Sequence, residues 1–157
     1  MDVKQQLFER LEKVVKPGTI VTSNTSGLSI EGMTQGRAEA FKKSFAVTHF
    51  FNPVRYLPLL EIVAGKATDP AVVAKLTAFG ERTLGKGVVC GKDTPNFVAN
   101  RIGVFGIMET IRVMVEDKYT LEEVDAVFGP AIGRAKSALS GTSDVVGLDT
   151  IIHVSQN

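Results

Sequence analysis

Residues 44–63 read SFAVTHFFNPVRYLPLLEIV, and the fold turns on this stretch. Phe45, Val47, His49 and Phe51 alternate with their neighbours, so Ser44 to Phe51 reads as a strand with those four on one face. Asn52-Pro53 is a turn signal. Leu59 to Val63 is a compact apolar run and reads as a second strand, interrupted by one carboxylate, Glu61. A carboxylate buried in such a run is costly without a partner. His49 supplies one if the two strands are neighbours. A carboxylate on one imidazole nitrogen selects the tautomer and supports the charge of the ring, which makes the other nitrogen a general base. The same residues also fit an edge-strand Glu61 facing solvent and a satisfied core His49.

Working back from this stretch, Val3 to Val15 reads as a helix with Leu7, Leu11, Val14 and Val15 on its apolar side, stopped by Pro17-Gly18. Thr19 to Thr22 is a short β-branched strand. Ser23-Asn24-Thr25-Ser26-Gly27 follows it, a run of small residues where ligands bind in open α/β sheets. Ile30 to Met33 reads as a short helix and Gly36 to Lys43 as a polar surface stretch. Working forward, Asp69-Pro70 opens a helix to Leu84 with Val72, Leu76, Phe79 and Leu84 buried, and Gly87 to Cys90 is a last strand with Cys90 packed in the core. Beyond Lys92-Asp93-Thr94-Pro95-Asn96 only helices follow: Phe97 to Val115, then Thr120 to Phe128 opened by a capping box. A Gly/Ser-rich loop from Gly129 to Gly141 precedes helix starts at Ser143-Asp144 and Asp149-Thr150. The domain boundary falls at residue 93, giving 1–93 and 94–157.

The chain has 157 residues, 44% hydrophobic and 22% charged, with 18 Lys plus Arg against 17 Asp plus Glu. That balance is globular and gives no bulk electrostatic case for nucleic acid. No apolar run reaches the roughly 20 residues that span a bilayer, so membrane insertion is not expected. The single cysteine, Cys90, and the absence of Cys/His spacing for zinc favour a reducing compartment and no metal. Of the two histidines, His153 lies in an apolar C-terminal pattern and reads as structural.

The ordered motifs Ser-Asn-Thr-Ser (23–26), His-Phe-Phe-Asn-Pro (49–53), Glu-Ile-Val (61–63) and Lys-Asp-Thr-Pro-Asn-Phe-Val-Ala-Asn-Arg-Ile (92–102) together resemble the 3-hydroxyacyl-CoA dehydrogenases of fatty acid β-oxidation. The likeness runs on through Ile132 to Ser137 and Asp144 to Thr150, in the manner of the long-chain or multifunctional members. It implies the C-terminal part of a Rossmann-like NAD-binding domain, an α/β unit, followed by the first helices of an all-α, 6-phosphogluconate-dehydrogenase-like domain. It implies NAD as cofactor, and (S)-3-hydroxyacyl-CoA and 3-oxoacyl-CoA as substrate and product. By the same resemblance His49 is the catalytic base, Glu61 the acid that orients it, and Asn100 the residue that positions the reacting oxygen. Ser26 contacts substrate and nicotinamide, Asn52 the cofactor, and Lys4 lies near cofactor and CoA. A cytoplasmic location is expected; the mitochondrial matrix and the peroxisome fit the same reading.

Three positions depart from the family pattern. Gly27 stands where a second serine is common, Asn96 where glycine usually follows the proline, and Ala135 where a proline follows Gly-Arg, which loosens the loop before Lys136. No Gly-x-Gly-x-x-Gly occurs, so the pyrophosphate turn of a dinucleotide site is not encoded in these residues. The chain opens on a helix without a preceding strand and ends within a helical pattern, so the sequence reads as an excised central segment that alone neither binds NAD tightly nor turns over substrate. Apolar faces such as Phe45, Val47 and Ile62 are then expected to lack cover, and Phe97 to Val115 to lack partners, which favours a homodimer or larger assembly. Two rival readings are a non-catalytic acyl-CoA-binding or dimerisation module and a related NAD-dependent hydroxy-acid dehydrogenase.

Overall fold

The computed structural model describes residues 2–155, without the side chains of Thr150 and of 153–155, so the expectation for His153 lies outside the described residues. Two compact units divide at Val98/Ala99. In the first, strands β1 (Val21–Ser23), β2 (Phe45–Phe50), β3 (Leu59–Ala64) and β4 (Gly87–Lys92) form one sheet in that order. β1 runs parallel to β2, β3 antiparallel to β2, and β4 parallel to β3. The connections explain these directions: the eight residues 51–58 turn the chain straight back, whereas the two parallel pairs are joined by helical crossovers. Helices α1 (Asp2–Glu12), α2 (Ile30–Met33) and α3 (Glu39–Lys43) belong to one face, and α4 (Pro70–Ala78) packs beside the other.

The first face carries a core of Phe8, Ile30, Met33, Phe41, Phe45, Val47, Val63 and Phe97. Phe45 sits at its centre, with the Phe8 ring edge-on at 5.0 Å and Phe41 stacked at 5.8 Å. Two expectations change here. The buried side of α1 is Phe8, supported by Leu11 and Val15, while Leu7 and Val14 are exposed. The supposed surface stretch 36–43 contains α3, which turns Phe41 inward. Phe45, Val47 and Ile62 are therefore buried, not bare: the helical crossovers cover both faces of the sheet.

Asp69 caps α4 by accepting a hydrogen bond from Ala71 N at 2.8 Å, with Pro70 at the first helical position as expected. The α-helix ends at Ala78, and residues Phe79–Thr83 form a π-turn. Gly80 is the residue that faces the sheet there; a Cβ on it would lie 2.8 Å from Val88 Cγ2 and 2.9 Å from Leu60 Cδ2. Phe79, whose N–H still bonds Lys75 O in the α pattern, and Leu84, beyond the π-turn, are exposed instead of buried. Cys90 is also exposed, contrary to its expected core position. It lies on the outermost strand in the sheet order, with Sγ 3.9 Å from Thr77 Oγ1.

In the second unit, α5 (Ala99–Glu116) has no buried residue, and Ile102, Phe105, Met108 and Val115 are exposed. α6 (Leu121–Val127) opens with the full capping box: Thr120 Oγ1 accepts from Glu123 N at 3.2 Å, and Glu123 Oε2 accepts from Thr120 N at 2.8 Å. The loop read from Gly129 onward contains a 3-10 turn, Pro130–Ile132, closed by Gly133 at φ 76°. α7 (Ser140–Val146) starts three residues before the expected Ser143, because Asp125 accepts hydrogen bonds from Leu139 N and Ser140 N, each 3.0 Å, and from Ser140 Oγ. Those bonds, led by the Ser140 hydroxyl, hold the Asp125 carboxyl below the usual range for aspartate. α8 (Leu148–Ser155) begins near Asp149-Thr150, as read.

Candidate active site

Strand alternation puts Phe45, Val47 and His49 on one face of β2, and the antiparallel register sets His49 directly opposite Glu61. His49 Nδ1 lies 2.7 Å from Glu61 Oε2, with the His49 side chain 4% exposed and that of Glu61 0%. The solvent-facing reading of Glu61 is thereby removed. The second carboxylate oxygen, Oε1, accepts the Val98 backbone N–H at 3.1 Å. Two aromatic rings meet the imidazole at steep angles, Phe51 at 4.4 Å between centroids and Phe97 at 5.6 Å. A carboxylate opposite Nδ1 selects the tautomer protonated there, which leaves the Nε2 lone pair available.

The other expected residues are placed as follows. Lys4, half-buried on α1, donates to Ser23 Oγ at 3.3 Å at the end of β1, and Ser23 Oγ lies 2.5 Å from Thr25 Oγ1. Ser26 is exposed in the loop after β1, and Asn52 is exposed just after β2, on the peptide preceding cis Pro53. Because β1 and β2 are parallel neighbours, both loops leave the sheet at the same end. Asn100 lies half-buried in the first turn of α5, in the second unit. The structure therefore joins His49 to Glu61 by a hydrogen bond and ties Lys4 to the end of β1.

Several participants escaped the sequence reading. Asn24 Oδ1 accepts Phe50 N at 2.9 Å, pinning the small-residue loop to the end of β2. Asp93 accepts Ile30 N at 3.0 Å and Ser29 Oγ at 3.2 Å, tying the end of β4 to the helix after that loop. A polar residue at a strand end was the available signal for both. Val98 acts through its backbone and left no signal in residue type.

Two of the departures from the family pattern meet in space. A Cβ on Gly27 would lie 3.3 Å from Asn96 Oδ1, tighter than ordinary van der Waals contact. Asn96 has φ 61°, a left-handed backbone that asparagine tolerates better than most residues. The larger side chain at 96 thus faces the position that lacks one at 27. Gly27→Ser alone is expected to destabilise the fold by about 1 kcal/mol, and Asn96→Gly in the same chain to recover most of that loss. Denaturant unfolding of the four members of the cycle measures the coupling, and additive effects would refute it.

The mixed sheet thus carries a buried imidazole–carboxylate pair near the end of β2 to which the small-residue loop is pinned. Comparison with known proteins gives the family. Residues 1–94 match the 3-hydroxyacyl-CoA dehydrogenase NAD binding domain, and residues 97–157 match the C-terminal domain of the same family. A Bacillus subtilis (strain 168) protein named "Probable 3-hydroxyacyl-CoA dehydrogenase" is 54% identical over 157 residues, 100% of this chain and 20% of its own length. A Deinococcus radiodurans protein of the same name is 50% identical over 154 residues, 98% of this chain and 44% of its own. Among solved structures, (S)-3-hydroxybutyryl-CoA dehydrogenase PaaH1 from Ralstonia eutropha superposes with a TM-score of 0.87 at 30% identity, covering 98% of this chain and 53% of that one.

The chain belongs to the 3-hydroxyacyl-CoA dehydrogenase family. It spans less than half the length of the two bacterial relatives above. Among the described residues, no group of His, Cys, Asp and Glu could hold a metal ion, and no helix is long and apolar enough to cross a membrane.

Proposed function

We propose that these residues are a portion of an enzyme that oxidises (S)-3-hydroxyacyl-CoA to 3-oxoacyl-CoA with NAD, in fatty acid β-oxidation. The observation that carries the reading is the buried 2.7 Å contact between His49 Nδ1 and Glu61 Oε2. In the neutral ring a proton on Nδ1 makes Nε2 the acceptor, held in a fixed orientation, which is what removal of a hydroxyl proton requires. As the 3-hydroxyl is oxidised, His49 takes its proton; in the reverse direction the imidazolium returns it. Glu61 balances the charge that then develops on the ring. Asn100 takes its proposed role, positioning the substrate's reacting oxygen, from the family resemblance alone.

The residues present fit the nicotinamide end of the cofactor. Ser26 and Asn52 are exposed, short and polar, and they stand on loops that leave the same end of two parallel strands. They would hold that end, with Lys4 nearby on α1. When bound, NAD supplies the hydride acceptor. The proposed division is residues 1–93 for the cofactor side and 94–157 for the helical side. A homodimer or larger assembly is supported by the apolar side chains that α5 leaves exposed, Ile102 and Phe105 foremost. The unpaired Cys90 accords with a cytoplasmic setting.

Reduction of acetoacetyl-CoA by the full-length protein, followed as NADH absorbance, tests the reading. Turnover is expected. Binding of acetoacetyl-CoA with no NADH consumed would replace it with the non-catalytic alternative.

A further inference from the structure

The connection from β4 to α5 has left-handed backbone at two consecutive non-glycine residues, Asn96 at φ 61° and Phe97 at φ 50°. Asparagine accepts this conformation; an aromatic residue does not adopt it unless its surroundings hold it there. The surroundings of Phe97 are specific. Its side chain is buried in the core of the first unit, its ring meets the His49 imidazole at 65°, and its N–H donates to Thr94 O at 3.1 Å. The next N–H along the chain, that of Val98, donates to Glu61 Oε1. One short turn therefore touches both members of the pair.

We propose that the turn Asn96–Val98 is a positioning element for His49 and Glu61. This rests on the reading of that pair as the proton-transfer site. A carboxylate held only through Oε2 can swing about its terminal torsion and lose its alignment with Nδ1. A backbone N–H on Oε1 comes from a group that cannot rotate away, so with both oxygens engaged the carboxylate plane is set. The Phe97 ring limits how far the imidazole tilts. The left-handed backbone at Phe97 lets its ring and the following N–H reach the two partners together. The turn acts through the pair and does not itself carry the proton.

Two variants of the full-length enzyme test this. Replacing the Val98 amide with an ester, by incorporating the corresponding α-hydroxy acid, removes the N–H donor and keeps every side chain. Phe97→Leu removes the ring and keeps an apolar side chain. Each is expected to lower kcat by roughly 10-fold, the scale of one hydrogen bond to a charged group, with KM for acetoacetyl-CoA changed less than about twofold. The 15N spectrum of His49, assigned by its loss in His49→Gln, is expected to show the single Nδ1–H tautomer in the parent and a mixture in both variants. If the ester enzyme does not accumulate, Phe97→Leu gives the same two readings. A lowered Tm with unchanged kcat and an unchanged His49 spectrum would mean the turn is only structural, and would overturn the proposal. His49→Gln with unimpaired turnover would overturn the catalytic reading instead, and the tautomer measurement would still decide the positioning one.

Discussion

His49→Gln is expected to lower turnover of the full-length enzyme by roughly 100-fold or more, the range that loss of a general base costs. Glutamine is close to histidine in size, and its amide N–H can still donate to Glu61, so the buried contact to β3 has a replacement. It offers no basic nitrogen. The KM for acyl-CoA is expected to move little, because the lost interaction belongs to proton transfer and not to substrate capture. Steady-state rates measured beside a thermal melt decide the matter. A folded variant with near-normal kcat would take His49 out of the mechanism.

Glu61→Gln is expected to lower turnover as severely, on the order of 100- to 10,000-fold, for a reason the hydrogen bonds supply. Glu61 offers one oxygen to His49 Nδ1 and the other to Val98 N–H. Glutamine has only one oxygen. The Val98 donor is backbone and cannot reverse, so the amide oxygen turns toward it and the NH2 group faces His49. Nδ1 must then accept, the proton moves to Nε2, and the nitrogen that should take the substrate proton already holds one. Glu61→Ala differs in kind. It leaves a fully buried site without its carboxylate, and is expected to destabilise the fold by about 3–5 kcal/mol. Chemical denaturation of both variants separates the effects. A Glu61→Gln enzyme as active as the parent would show that the tautomer of His49 is not set by this residue.

Much of this arrangement is legible in the sequence, and the reasons are local. A strand repeats every two residues, so Phe45, Val47 and His49 declare a common face over a few positions. A lone carboxylate in Leu-Leu-Glu-Ile-Val is conspicuous because burying it costs too much without a partner. Caps are local as well, which is why Asp69-Pro70 and the Thr120–Glu123 box were readable in place. Burial read by helical period failed where the chain left that period or met a distant element. Phe41 lies in a polar stretch yet packs on Phe45, and Leu84, read in the apolar phase of α4, lies beyond the π-turn and is exposed.

The sequence by itself determined that residues 44–63 form two strands joined by a short reversal, and that a histidine and a glutamate stand in them where each needs a polar partner. Only the tertiary structure decided the register. A slip of one residue would send Glu61 to the α4 face, away from His49, and nothing in either strand alone forbids it. The tertiary structure also brought Val98 N–H, 37 residues away, onto Glu61 Oε1, and the Phe97 ring onto His49. Backbone donors carry no residue identity, and edge-strand exposure such as that of Cys90 depends on what lies beside the strand. Periodicity is a property of neighbours in sequence; contact is a property of neighbours in space, and the pairing of His49 with Glu61 required both.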